Sequence, residues 1–254
     1  ALRNTKSNNP CVGKNLKDKM HAIKSMGKIL DKEKGNLREK PNLEESIDIF
    51  FDDNIEVPNS KVILDLDIEK LEIENKILSR NIKLKIIGSE KICITGKNGV
   101  GKTTLVKFIM KNLEKLNLRV GYMPQNYSDL QNYNLTAIEF LSKDYTKDEH
   151  TKISKYLGSL NFKREEMYRN IKDLSGGQKA KLFFAKMNLD KAEVLILDEP
   201  TRNLSPLSQT EIIEALQKYK GAIISISHDR NFINQITDKI YRLDESGLKI
   251  LDRF

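Results

Sequence analysis

Between residues 92 and 104 a strand, a glycine loop and a helix start follow one another without spare residues, and few architectures accommodate that order. Ile92, Cys93 and Ile94 form a short apolar run that reads as a buried parallel strand. Gly96, Lys97, Asn98, Gly99, Val100, Gly101, Lys102, Thr103 and Thr104 come next, and residues 105–113 continue with helical spacing. Glycines at 96, 99 and 101 let backbone N–H groups curl around an anion, and the positive end of the helix dipole adds to that field. In this setting Lys102 reaches phosphate oxygens and the Thr103 hydroxyl binds Mg²⁺. Average composition produces the pattern by chance about once in a hundred chains of this length, before a strand in front and a helix behind are required. The stretch therefore implies a nucleoside triphosphate as ligand.

A chain of 254 residues with 31% charged and 39% hydrophobic side chains has room for one large domain, or for one domain and an appendage. No apolar run approaches the roughly 20 residues of a membrane helix. The first residues carry no apolar signal core, and the absence of a starting Met reads as a piece of a longer polypeptide. Cys11 and Cys93 make no disulfide framework, which fits a reducing, cytoplasmic location.

Charge is uneven. Residues 1–40 hold eleven Lys and Arg against four Asp and Glu, so +7 of the net +8 lies there. Such a segment suits an acidic polymer, nucleic acid above all, or else a solvated helix face. Residues 1–14 read as disordered. Leu16, Met20, Ile23, Leu30 and Leu37 then follow an incomplete coiled-coil spacing that Gly27 and Lys34 interrupt. The expected division is a basic helical segment over 1–54 and a nucleotide-binding domain over 55–254, with a helix-rich part at about 126–190.

Within the second part, residues 61–68 and 82–86 read as antiparallel strands, with a turn at Glu74 and Asn75. A strand over 118–125 ends at Gln125, and amphipathic pieces lie at 135–141 and 153–157. Ser175, Gly176, Gly177 and Gln178 open a helix over 179–187 and form a second anion-binding start. Residues 194–197 are an apolar strand ending in Asp198 and Glu199. A helix over 208–219 precedes another buried strand over 222–227 that ends in His228, and a hairpin closes the chain around residues 245–247. Strands alternating with helices, with polar residues at strand C-terminal ends, indicate an α/β fold with a parallel-sheet core. In that setting Asp198 holds Mg²⁺ and Glu199 is placed as the general base on the attacking water. His228 and Gln125 sit at the same sheet edge, His228 toward the terminal phosphate and Gln125 toward Mg²⁺ or the water. His21 and His150 read as surface residues.

Taken together, these motifs resemble the ATP-binding cassette (ABC) family over residues 60–250. The resemblance implies a P-loop NTPase cassette with an antiparallel β subdomain and a helical subdomain, Mg²⁺ and ATP as cofactors, and ATP hydrolysis. It further implies that Ser175, Gly176, Gly177 and Gln178 face the P-loop of a second cassette, in the same full-length chain or a homodimer mate. The run 227–233 with residues 238–243 looks like the ABC-F branch, soluble proteins of two cassettes joined by a helical linker. That likeness implies the ribosome, its rRNA and tRNA, as partner of the basic segment, no membrane partner, and a role in translation or in antibiotic resistance. The alternative is the cytoplasmic ATPase subunit of an ABC transporter. Two departures stand out. The family's aromatic adenine-stacking residue, about 25 positions before the P-loop, has no counterpart between residues 61 and 90, where Leu71 lies nearest. After Glu199 the family's aspartate is replaced by Ser205, and Arg202 is unexpected.

Overall fold

The computed structural model describes residue 51 and residues 55–127, 134–202 and 204–252. Apart from Phe51, the expected basic segment over 1–54, with its coiled-coil seam, Cys11 and His21, lies outside the described residues. Phe51 packs against Phe184 and Tyr219, with ring centroids 6.5 and 4.8 Å away.

A long antiparallel hairpin comes first, β1 over Val62–Ile73 and β2 over Lys76–Ile87. Both strands run to the turn, well beyond the expected 61–68 and 82–86. Glu74 and Asn75 adopt φ of 47° and 66°, the left-handed pair that a two-residue hairpin turn requires. Ile63, Leu64, Leu66, Ile68 and Leu71 turn inward, while Asp65 and Asp67 pair with Lys85 and Lys83 on the solvent face.

The main sheet has six strands in the order β4-β5-β6-β3-β7-β8. These are β3 (Lys91–Thr95), β4 (Val120–Met123), β5 (Val194–Asp198), β6 (Ala222–Ile226), β7 (Lys239–Asp244) and β8 (Gly247–Leu251). The first five in spatial order are parallel, and β8 closes antiparallel on β7. Near-continuous burial of β5 and β6 follows from packing on both faces. The twofold alternation divides their side chains. Ile92, Ile94, Ile196 and Ile224 join the hairpin and helix α1 (Lys102–Glu114) in one core. Cys93, Leu195, Leu197 and Ile223 face α5 (Gly176–Leu189), α6 (Pro206–Lys218) and α7 (Arg230–Ile236) in another. Burial raises the Cys93 thiol to about 11, so this cysteine is an inert core residue.

The helix-rich part has its own core. Here α2 (Ala137–Leu141), α3 (Lys147–Ser159) and α4 (Arg164–Met167) pack Ile138, Leu157, Phe162 and Ile171 against Leu182 and Ala185 of α5. Thr136 and Thr146 cap α2 and α3 by accepting from Glu139 N and Glu149 N. His150 is half-buried rather than a bare surface residue, with Nε2 3.3 Å from the Tyr168 hydroxyl.

Candidate functional site

The C-terminal edge of the parallel sheet carries the chemistry because β3, β5 and β6 all release their polar residues there. β3 ends at Thr95, and the chain turns at Gly96, where φ is 150° and a Cβ would stand 2.5 Å from the Leu243 carbonyl oxygen. Only glycine permits that approach. Gly101, with φ of 102°, precedes α1, and a Cβ there would stand 3.0 Å from Leu78 and 3.4 Å from Leu71. No side chain caps α1 and no acid occupies its first turn, so its leading N–H groups are left to an anion.

Lys102 lies back along its own loop, donating from Nζ to the carbonyls of Gly96 (2.7 Å) and Lys97 (3.1 Å). Burial lowers its pKa, while the nearby charges of Glu199 and Asp198 raise it. Asp198 is 2% exposed at the end of β5, and Thr103 Oγ1 donates to its Oδ2 at 3.3 Å. Burial first, and the Glu199 charge as well, raise the Asp198 carboxyl; the Thr103 hydroxyl and the Lys102 charge oppose this. Glu199 follows with φ of 53°, a left-handed conformation for a residue with a side chain. Such a conformation costs about 1–3 kcal/mol and persists where the surroundings hold it. Here the Glu199 N–H donates to the Ile226 carbonyl at 2.9 Å. His228 Nε2 stands 3.8 Å from Glu199 Oε1.

A cleft of about 470 Å³ collects Asn98, Gly99, Gly101, Lys102, Thr103, Thr104, Gln125, Asp198, Glu199 and His228. Gln125 and His228 each lie two residues beyond their strand, because β4 stops at Met123 and β6 at Ile226. Lys97 and Val100 line the other flank of the loop, beside Arg242 and Asp244. Ser175, Gly176, Gly177 and Gln178 are absent from the described lining of the cleft. They form the start of α5, which begins at Gly176 rather than at Lys179. Ser175 Oγ accepts from Gln178 N at 3.2 Å, and Gln178 Oε1 accepts from Ser175 N at 2.9 Å, a reciprocal capping box. Ser205 likewise caps α6, accepting from Ser208 N at 3.3 Å, a role in which serine and aspartate are equivalent.

Three features escape a reading of the motifs. Ile73, half exposed at the end of β1, lines the cleft together with Leu78. Leu71, the apolar residue nearest in sequence to the missing aromatic, does not; it is 3% exposed and packed behind Gly101. The third feature is the Thr201 hydroxyl, which donates to Asp229 Oδ2 at 3.0 Å and so ties the loop after Glu199 to the residue after His228. Ile73 shares the face of Leu71 by the two-residue period of a strand, so no pattern in β1 announces it, and no local signal announces the bond between Thr201 and Asp229.

The residues fit a nucleoside triphosphate with Mg²⁺. A Cβ on Gly99 would meet nothing within 4 Å, which leaves the loop open for phosphate oxygens. Among the described residues no group of three His, Cys, Asp or Glu side chains could hold a metal alone. One carboxylate (Asp198), one hydroxyl (Thr103) and one amide (Gln125) instead suit a hard cation that takes its remaining ligands from phosphates and water.

Comparison with known proteins agrees with the geometry. The family model described as "ABC transporter" matches residues 79–202. "ABC transporter F family member 2" of Arabidopsis thaliana is 37% identical over 185 residues, covering 69% of this chain and 27% of that protein. "Probable ATP-binding protein YbiT" of Escherichia coli O157:H7 is 32% identical over 189 residues, covering 70% and 36%. "Protein GCN20" of Saccharomyces cerevisiae is 28% identical over 235 residues, covering 89% and 31%. The chain thus spans about a third of the length of the curated relatives it matches. In structure it is similar to the dimeric ATP-binding cassette MJ0796, solved in a post-hydrolysis state with ADP and Pi, with a TM-score of 0.62 at 19% identity over 76% of this chain and all of that one.

The sheet, the glycine loop and the acids at the end of β5 define an ABC-type ATPase cassette. Its relatives point one step further: over about two thirds of its length the chain is similar to ABC transporter F family members.

Proposed function

We propose that this chain is the ATP-hydrolysing cassette of a soluble, cytoplasmic ABC-F protein that acts on the ribosome, as a translation factor or in antibiotic resistance. The observation that carries the reading is the convergence of Lys102, Thr103, Gln125, Asp198, Glu199 and His228 on one cleft. ATP lies with its phosphates over residues 96–104 and the start of α1. Thr103, Gln125 and Asp198 would hold Mg²⁺, which would supply charge neutralisation. Lys102 exchanges its two loop carbonyls for phosphate oxygens. Glu199 takes the proton of the attacking water, and His228 orients toward the terminal phosphate.

Ser175, Gly176, Gly177 and Gln178 lie apart from this cleft and serve the cleft of a second cassette, from the same full-length polypeptide or a homodimer mate. The dimeric state of the similar cassette MJ0796 supports that arrangement. Residues 1–54 act as the basic linker, and their charge of +7 over 1–40 supports contact with rRNA or tRNA. The description of the matching family model favours a second reading, a cytoplasmic ATPase subunit of a transporter. Among the described residues no helix is long and apolar enough to cross a membrane, so that reading needs a membrane partner.

Sedimentation separates the two. The full-length polypeptide carrying Glu199→Gln, with the matching change in any second cassette, should pellet with ribosomes in ATP and stay in the supernatant in ADP. Pelleting with membranes instead would transfer the assignment to the transporter reading.

A further inference from the structure

Glu199 and His228 stand 3.8 Å apart, beyond hydrogen-bond reach, so their own contact does not fix their spacing. The His228 side chain is 54% exposed. Its position is set by its two neighbours. Ser227 is fully buried, and its Oγ accepts from Asp229 N at 3.1 Å. Asp229 uses one carboxylate oxygen, Oδ1, to cap α7, accepting from Asn231 N (2.9 Å) and Phe232 N (3.3 Å). The other, Oδ2, accepts from Thr201 Oγ1 at 3.0 Å.

Thr201 is 3% exposed and fixed in turn. Its carbonyl accepts from Gln209 Nε2 of α6 at 3.1 Å, and Leu204 N donates to the same oxygen at 3.3 Å. The loop after Glu199 is thereby anchored to α6, and the loop after His228 to α7. A side-chain hydrogen bond joins the two loops, from Thr201 to Asp229. It is charge-assisted and partly shielded from water, which makes it stronger than an ordinary exposed contact.

We propose that Thr201 and Asp229 are positioning residues: their hydrogen bond holds the His228 loop at the spacing from Glu199 that hydrolysis requires. This rests on the reading that Glu199 and His228 act on the same phosphate. Neither Thr201 nor Asp229 itself lines the nucleotide cleft, so removing their bond alters the chemical step and leaves nucleotide binding in place. Misplacement by about 1 Å at a reacting centre costs on the order of a hundredfold in rate.

Two readouts test this. Turnover of Mg-ATP by the full-length polypeptide is measured for Thr201→Val, which keeps shape and removes the donor, and for Thr201→Ser, which restores it. The expected result for Thr201→Val is a kcat lowered about tenfold or more with KM changed less than about threefold, and recovery in Thr201→Ser. Thr201→Ala removes the same donor with a different shape and stands in if the valine variant does not fold. The second readout needs no catalysis. The chain has three histidines, so one His228→Gln spectrum assigns the His228 ring resonance. That resonance should move in Thr201→Val and return in Thr201→Ser. An unmoved resonance overturns the proposal, as does a moved one with kcat within twofold of the unaltered protein. If the unaltered protein hydrolyses no nucleoside triphosphate, the functional reading falls, and the ring resonance alone decides whether Thr201 sets the place of His228.

Discussion

Replacing Ile73 by tyrosine probes how the cleft treats the base of its nucleotide. Ile73 is 50% exposed where the buried alternation of β1 ends, beside a turn that already tolerates bulk. The substitution therefore opens no cavity and crowds no core. In the unaltered protein the apolar wall of the cleft is aliphatic, Ile73 and Leu78, while its polar side chains gather at the phosphate end. An aliphatic wall gives a base contact area and little else, and such a surface discriminates poorly between rings of similar size. A base stacked on an aromatic side chain gains about 1–3 kcal/mol. With one ring face open to solvent the lower half of that range applies, so Ile73→Tyr should tighten ATP and GTP by about 5- to 30-fold. The assay is equilibrium binding of ATP, GTP, CTP, UTP and inorganic tripolyphosphate in Mg²⁺. The unaltered chain should hold the four nucleotides within about tenfold of one another. Tripolyphosphate should be indifferent to the substitution. Equal tightening of tripolyphosphate, or no change for the purines, would refute the placement of Ile73 at the base.

Other consequences follow from single contacts. Gly96→Ala drives a Cβ to 2.5 Å from the Leu243 carbonyl, so β3 and the loop must shift and Mg-ATP binding should fall more than tenfold by titration calorimetry. Phe184→Ala empties a site that is 1% exposed beside Phe51, and urea unfolding should show a loss of about 3–5 kcal/mol. Asp198 has its carboxyl raised by burial, so the folded metal-free chain loses stability as pH rises from the ordinary carboxylate range through that raised value. Asp198→Asn should accordingly raise the melting temperature of the nucleotide-free chain at neutral pH and abolish the additional rise that Mg-ATP produces. In the unaltered chain, Mg²⁺-dependent nucleotide binding should weaken as pH falls through the same window.

The site was legible where its chemistry is local. A glycine loop between strand and helix, and two acids ending an apolar strand, each carry their geometry within a few residues, and Gly99, Gly101, Asp198 and Glu199 line one cleft. The parallel core followed from the same alternation of strands and helices. What stayed hidden depends on register and on distant partners. Leu71 and Ile73 are both apolar and share one face of β1, and Ile73 is half exposed because its pairing with Lys76 is the last before the turn, where the strand ends. Strand ends moved by up to two residues at Gln125 and His228, because a loop residue beyond a parallel strand can continue its direction without sharing its hydrogen bonds. The start of α5 came earlier than its apolar pattern suggests, since the capping box between Ser175 and Gln178 sets it rather than helix propensity. Thr201 and Asp229 are 28 positions apart, and neither type nor spacing distinguishes them from surface residues.

Calorimetric titration of this chain with ATP, with and without Mg²⁺, tests the central claim most directly when Lys102→Ala is titrated beside it. The account predicts saturable binding of one ATP per chain, tightened by Mg²⁺ and weakened at least tenfold in Lys102→Ala. Binding that ignores both Mg²⁺ and Lys102, or no binding at all, would contradict it.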